Sequence, residues 1–136
     1  MKWFSKAGRT GRSGDVTGTR AIGAAAEALA ADFLSRHGAR ILARNVCCRG
    51  GELDLVALLD RTVLFVEVRL RRHGAFGSAA ESITPRKQAR VVLAAHHWLA
   101  GAGRTHAQAP CRFDAIVLDR LAADAITWIP GAFDAG

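Results

Sequence analysis

Three acidic side chains lie in two apolar runs near the middle of the chain, where they could act together on a cation. Residues 51–71 read GELDLVALLDRTVLFVEVRLR, with Glu52 and Asp54 in the first run and Glu67 in the second. Carboxylates inside buried strands are costly unless a cation or a hydrogen-bond donor pairs with them. The short polar break at residues 60–61 predicts a hairpin, which makes the two runs adjacent antiparallel strands.

Strand pairing across this hairpin predicts that Asp54 lies opposite Glu67 and that Glu52 lies opposite Arg69. Directly opposed side chains have Cβ atoms about 5 Å apart, and two buried carboxylates at that distance repel each other. A hard divalent cation relieves the repulsion, because Mg²⁺ and Mn²⁺ prefer oxygen ligands. The pattern therefore predicts a Mg²⁺ or Mn²⁺ site on Asp54 and Glu67, with Arg69 placed to stabilise charge in a transition state.

The spacing alone leaves a purely structural interpretation open. Arginines could hold Asp54 and Glu67 in a buried ion-pair network, and Glu52 with Arg69 could form an ordinary cross-strand pair.

A predicted helix from about Ile22 to His37 precedes the strands and carries a fourth acid, Glu27. Glu27 lies beside the apolar face of this helix. It is either a solvated glutamate or a third metal ligand that looks toward the hairpin, and helix periodicity does not separate these two interpretations.

The remaining elements predict one α/β domain with a central mixed sheet flanked by helices. Thr84 and Pro85 are a favourable N-cap and first residue for a second helix. The predicted order is helix, three strands, helix, two strands. After the first helix, the predicted elements are strands at 39–46 and across the hairpin, a helix at 84–99, and strands at 111–119 and 125–129. This domain covers residues 21–136, and residues 1–20 are predicted to be a flexible basic tail.

The charge of the chain favours a polyanionic partner. Lysine and arginine number 19 against 12 acidic residues, a net charge of +7, which is typical of proteins that bind nucleic acid. Basic residues follow the hairpin and crowd the start of the second helix, where the helix N-terminus also favours anions. The predicted phosphate contacts are Arg71, Arg72, Arg86, Lys87 and Arg90.

Cysteine usage and hydropathy predict a cytoplasmic protein with no membrane partner. The three cysteines form neither a CxxC pair nor a disulfide framework, which is typical of reduced thiols. The start of the chain lacks the apolar segment of a secretory signal. The alanine-rich stretch after Arg20 is interrupted by Glu27 and Asp32, so it does not predict a membrane span.

Several segments carry a resemblance to a known family. They are EALAADFL at 27–34, GARILARN at 38–45, GELDLVA at 51–57, LFVEVRLRR at 64–72, FGSAAESITPRKQAR at 76–90 and CRFDAIVLD at 111–119. An aspartate followed thirteen positions later by E-x-R, after a helix with a glutamate, resembles the PD-(D/E)XK nuclease superfamily. More closely, the chain resembles the YraN-like family of small bacterial predicted endonucleases.

The resemblance implies a restriction-endonuclease-like fold and Mg²⁺-dependent cleavage of DNA, including branched or recombination-type DNA of the kind met in repair. It carries the family's acids onto Glu27, Asp54 and Glu67. Small nucleases of this fold often form homodimers that address two strands, although no dimer face is identified in the sequence.

One departure from the superfamily motif bears on catalysis, because Arg69 stands where the motif normally has lysine. A lysine can position the attacking water or act as a base, whereas an arginine stays protonated. Arg69 could suffice, or Lys87 could lend its ammonium to the site. The alternative function is a catalytically impaired nucleic-acid-binding accessory protein that retains the nuclease fold, and a scaffold protein is a third hypothesis.

Overall fold

The structure is a computed structural model that describes residues 14–71 and 83–135. These residues contain two α-helices and five β-strands. In chain order they are α1 (Gly14–Arg36), β1 (Arg40–Cys48), β2 (Gly51–Leu59), β3 (Thr62–Leu70), α2 (Pro85–Ala100), β4 (Cys111–Leu118) and β5 (Ile126–Phe133). The predicted fold class and the predicted order of elements are confirmed. The architecture is that of a small restriction-endonuclease-like α/β domain.

The sheet is mixed, with its strands in the order β1-β2-β3-β4-β5. The pairs β1–β2, β2–β3 and β4–β5 are antiparallel, whereas β3 and β4 run parallel. The connection between the two parallel strands contains α2, as a crossover requires. The β3 and β4 strands therefore end at the same edge of the sheet, and β2 begins there.

The β2–β3 hairpin has the predicted register. Leu59 pairs with Thr62 and Leu55 pairs with Val66. Asp60 has a φ of 55°, a left-handed conformation that aspartate tolerates better than most residues. The turn at Asp60 and Arg61 is thus the predicted two-residue turn. The register brings the positions of Asp54 and Glu67 to the same level of the two strands.

The two helices cover opposite faces of the sheet, and strand alternation decides which helix each side chain meets. Val66 and Val68 pack in the core cluster beneath α1. Phe65 packs in the cluster beneath α2, beside Val91 and Trp98. Since successive side chains on a strand point to opposite faces, Glu67 lies on the α2 face.

The N-terminal helix begins earlier than the sequence pattern indicates. α1 starts at Gly14, so residues 14–20 of the predicted tail are helical; residues 1–13 lie outside the described part of the chain. The stretch GDVTGTR contains glycine and threonine, which have low helix propensity. It continues a helix whose later turns are packed on the sheet, and extension costs far less than nucleation.

The last strand extends beyond its predicted end at Ile129. β5 continues through Pro130 and Gly131 to Phe133, and Gly131 has a φ of 62°. Proline is compatible with an edge strand, and β5 is the last strand in the sheet order. The sequence pattern ended the strand at proline because edge position is not visible from local sequence.

Gly51 sets the close approach of α2 to β2, and its replacement tests this packing. A Cβ at Gly51 would lie 2.7 Å from the carbonyl oxygen of Arg90 and 2.9 Å from the backbone nitrogen of Ala94. We expect Gly51→Ala to lower the free energy of unfolding by about 1–3 kcal/mol, since α2 must shift. A Cβ at Gly23 in α1 meets nothing within 4 Å.

Urea unfolding of both variants measures the effect. Gly23→Ala should raise stability by up to about 1 kcal/mol through helix propensity. Equal stability of Gly51→Ala and the parent protein would contradict the packing described here.

Candidate active site

Asp54 lies on β2 directly beyond the last regular backbone pair of the hairpin. Its side chain is 2% exposed, and its Oδ2 accepts a hydrogen bond of 2.8 Å from the backbone N–H of Val68 on β3. The regular pairing ends at Leu55 and Val66, so a side-chain oxygen takes the place of a backbone acceptor. This bond fixes the Asp54 carboxylate between the two strands.

Glu67 follows Val66 on β3 and is as deeply buried as Asp54. It is 1% exposed, and no donor within the described part of the chain meets hydrogen-bond geometry at either carboxylate oxygen. Burial, followed by the charge of Asp54, raises the pKa of Glu67 well above its usual range, and Lys87 partly opposes this increase. The two acids are therefore close enough to repel each other, as strand pairing across the hairpin predicted.

Lys87 reaches this pair from the first turn of α2. Its Nζ lies 3.0 Å from Oε2 of Glu67, and its side chain is 18% exposed. Thr84 caps the helix by accepting a hydrogen bond of 3.1 Å from the backbone N–H of Lys87. The cap fixes the start of α2 and with it the origin of the lysine side chain.

Asp114 is another buried acid of this domain, and its hydrogen bonding differs from that of Glu67. It is fully buried on β4, and Arg112 donates two hydrogen bonds of 2.8 and 2.9 Å to its carboxylate. Trp128 and the backbone N–H of Gly131 donate two more. Four donors therefore satisfy Asp114, whereas Glu67 has the ammonium of Lys87 beside one oxygen and no donor in hydrogen-bond geometry from the described residues. The two buried acids thus differ in how completely the chain satisfies them.

Glu52 has a partner that strand pairing does not predict. Its Oε1 accepts a hydrogen bond of 2.8 Å from Nη2 of Arg90 on α2. The predicted opposite residue, Arg69, is half-buried on β3 and lies two positions beyond Glu67, on the same face of the strand. Glu52 and Arg90 thus tie the helix to the strand that carries Asp54.

Glu27 is buried, and the interpretation as a solvated glutamate is wrong. It is 8% exposed on α1, among alanines that pack on the sheet. Within residues 14–71 and 83–135, no group of three or more histidine, cysteine, aspartate or glutamate side chains is placed to hold a metal ion. The structure thus brings together two of the three predicted ligands, Asp54 and Glu67, and leaves Glu27 outside that pair.

The predicted phosphate contacts divide into two groups. Arg86 is exposed, and Arg71 is exposed with its Nε 3.6 Å from Oδ1 of Asp119. Lys87 and Arg90 instead make ion pairs with the acids of the hairpin. Arg72 lies outside the described residues. The sequence showed that these residues cluster, but it could not show which of them turn inward.

The donor set fits a small divalent cation. Mg²⁺ is commonly held by one or two carboxylates, with waters and substrate phosphate completing its shell. Asp54 and Glu67 supply two adjacent carboxylates, and Nζ of Lys87 lies 3.0 Å from Oε2 of Glu67 without a hydrogen bond of good geometry. Burial and then the charge of Asp54 raise the pKa of Glu67, and a bound cation offsets both effects.

The chain belongs to the family described as "Uncharacterised protein family UPF0102". The family model matches residues 26–118, a range that contains Asp54, Glu67 and Lys87. The match confirms the resemblance to the YraN-like family.

Curated relatives match over most of their length. A UPF0102 protein of Methylobacillus flagellatus is 48% identical over 114 residues, 84% of this chain and 97% of the relative. A UPF0102 protein of Serratia proteamaculans is 48% identical over 116 residues, which cover 85% of this chain and 97% of that protein. None of the helices in the described ranges is long and apolar enough to cross a membrane.

The raised pKa of Glu67 predicts a pH dependence of stability in the metal-free protein. Between its ordinary value of 4.5 and its raised folded value, the folded state holds a proton that the unfolded state releases. Stability therefore falls as the pH rises through this window. In EDTA, the melting temperature of wild type should fall relative to Glu67→Gln as the pH rises above about 4.5.

Thermal unfolding between pH 4 and pH 8 measures this difference. Asp60→Asn, the same type of change at the exposed hairpin turn, serves as the control and should follow wild type. A difference between wild type and Glu67→Gln that does not vary with pH would contradict the assignment.

Proposed function

We propose that this protein is a metal-dependent nuclease that hydrolyses phosphodiester bonds in DNA, with branched or recombination-type DNA among its candidate substrates. The observation that supports the proposal most directly is the buried pair of Asp54 and Glu67. Glu67 is fully buried without the four donors that satisfy Asp114, and its described charged neighbours are Asp54 and Lys87. A buried acid pair of this kind is costly to folding, and a ligand-binding role accounts for that cost.

Asp54 and Glu67 would hold Mg²⁺ or Mn²⁺. When bound, such a cation lowers the pKa of a coordinated water and withdraws charge from a phosphoryl oxygen. The hydrogen bond from Val68 to Asp54 holds one carboxylate in a fixed orientation. A fixed ligand reduces the reorganisation needed when substrate arrives.

The reaction adds water across one phosphodiester linkage. A bond forms between the water oxygen and phosphorus, and one ester P–O bond breaks. The proton that the water loses is matched by the proton that the departing alkoxide gains, so no further reactant is needed. Arg69 lies on the strand face of Glu67, where its permanent positive charge would stabilise negative charge that develops on the phosphoryl oxygens.

The charge distribution supports nucleic acid as the substrate class. The net charge is +7. Two exposed arginines are close in sequence to residues of the site, Arg71 to Glu67 and Arg86 to Lys87. Arg71 follows β3, and Arg86 lies in the first turn of α2. Phosphate contacts from such residues are independent of base sequence. A preference for DNA over RNA rests on the resemblance to nucleases of this fold.

A second candidate function is DNA binding without cleavage. The ion pair between Lys87 and Glu67 gives Glu67 a cation from the chain itself and so partly satisfies the acid pair without metal. If that pair persists in the presence of Mg²⁺, the protein binds DNA through its arginines and does not hydrolyse it.

Metal titration and cleavage assays separate the two functions. Calorimetry with Mg²⁺ and Mn²⁺ should show at least about tenfold weaker binding for Asp54→Asn and Glu67→Gln. Cleavage of linear, nicked and four-way-junction DNA should slow by at least about 100-fold in both variants. Asp60→Asn is the matched control, because it changes an acid about 20 Å along the same hairpin.

Two results would contradict the nuclease proposal. One is wild-type protein that binds DNA but neither binds Mg²⁺ nor cleaves any member of the panel. The other is cleavage that Asp54→Asn leaves unchanged.

DNA binding itself is tested by its salt dependence. Each phosphate contact contributes about 0.9 to the slope of log binding constant against log salt concentration. We expect Arg86→Gln to reduce that slope by roughly 1 and to weaken binding alike for all sequences. Arg61→Gln removes an exposed arginine at the hairpin turn and should leave the slope unchanged. Equal slopes for wild type and Arg86→Gln would exclude Arg86 from the interface.

A further inference from the structure

We infer that Lys87 is the positioning residue of the site: its ammonium, held beside Glu67, orients the attacking water and the scissile phosphate. The inference deepens the proposed nuclease function and rests on it. The chain has three lysines, at positions 2, 6 and 87, and Lys87 is the one that lies in the described residues. It enters the site from α2, while Asp54 and Glu67 enter from the hairpin.

The geometry favours this role over a surface phosphate contact. Lys87 places Nζ 3.0 Å from Oε2 of a carboxylate that is itself 1% exposed. Its own side chain is 18% exposed, so the lysine is mostly buried beside the acid pair and keeps some contact with solvent. A phosphate bound to a cation on Glu67 would lie close to this ammonium.

The chemistry of an ammonium suits that position. Its three N–H donors rotate on a flexible stem, so when a cation takes the Glu67 oxygen they can turn to a water or a phosphoryl oxygen beside it. A guanidinium presents its donors in a fixed planar fork, so it cannot re-aim them one by one. Arg69 therefore stabilises charge, whereas Lys87 orients the reacting groups.

The helix that carries Lys87 is anchored at three nearby points. Thr84 caps it at the N-terminus, and Arg90 is tied to Glu52 on β2. One turn further, the close contact at Gly51 seats the helix backbone on the strand. These contacts hold the origin of the Lys87 side chain fixed relative to the acids, which positioning requires.

A simple counter-ion role for Lys87 makes a different prediction. A counter-ion only offsets the charge of Glu67, and a bound divalent cation replaces that function. Removal of the lysine would then cost stability in the metal-free protein and nothing at saturating metal. A positioning residue is needed at saturating metal as well.

Steady-state cleavage by Lys87→Met at saturating Mg²⁺ tests the inference. We expect kcat to fall by about 100-fold or more, while KM for DNA changes by less than about threefold. The melting temperature at saturating Mg²⁺ should match that of wild type, because the cation then compensates the acid pair. Arg61→Met removes one positive charge at the hairpin turn and should change neither kcat nor the melting temperature.

A second-site variant separates positioning from general stabilisation. Side chains two positions apart on a strand lie about 7 Å apart on the same face, so a lysine at position 69 reaches the neighbourhood of Glu67. We expect Lys87→Met combined with Arg69→Lys to recover kcat at least about tenfold over Lys87→Met alone. Lys87→Arg retains the charge and the fold, and it should still lose at least about tenfold in kcat.

The outcomes distinguish failure of the inference from failure of the proposed function. Wild-type cleavage with an unchanged kcat in Lys87→Met overturns the inference and leaves the nuclease function standing. If Lys87→Met does not fold, an unchanged kcat in Lys87→Arg overturns it equally. Wild-type protein that neither binds Mg²⁺ nor cleaves DNA overturns the proposed function, and the inference fails with it.

Discussion

The burial of two adjacent carboxylates, Asp54 and Glu67, which repel each other, is the constraint on which the arrangement of the hairpin and α2 depends. Both lie at the point where the β2–β3 hairpin stops pairing regularly, and both are nearly inaccessible to solvent. Burying such a pair is unfavourable unless positive charge compensates it. Lys87, at the start of α2, supplies positive charge beside Glu67. The position of the α2 N-terminus and the burial of the acid pair on the hairpin therefore depend on each other.

The packing of α2 follows from the same constraint. Gly51 permits close approach of the helix to β2, and the pair formed by Arg90 and Glu52 lies alongside. On the other face of the sheet, α1 contributes a conventional apolar core. Both faces of the sheet have an apolar core, and the α2 face also carries Glu67 with Lys87 beside it. A fully satisfied acid, Asp114, shows that the fold can bury a carboxylate without strain in its hydrogen bonding when no ligand is needed.

Local sequence patterns predicted the elements and the acid pair because both depend on short-range rules. Alternation and a two-residue turn fix the register of a hairpin, and that register places Asp54 level with Glu67. The same rules could not predict where α2 docks, since docking depends on contacts between residues distant in sequence. The partner of Glu52 was therefore not predicted, and the approach of Lys87 to the site was one of several alternatives that the sequence left open. The burial of Glu27 could not be predicted for the same reason. Helix periodicity shows on which face of the helix a residue lies, but not which residues it contacts.

We propose that Asp54 and Glu67 together hold one divalent cation. Anomalous scattering from a crystal of the protein soaked in Mn²⁺ tests this proposal. We expect one anomalous peak between the two side chains, about 2.1 Å from an oxygen of each, with Nζ of Lys87 withdrawn from Oε2 of Glu67. An acid pair without an anomalous peak, with Lys87 still in its ion pair at saturating Mn²⁺, would contradict it.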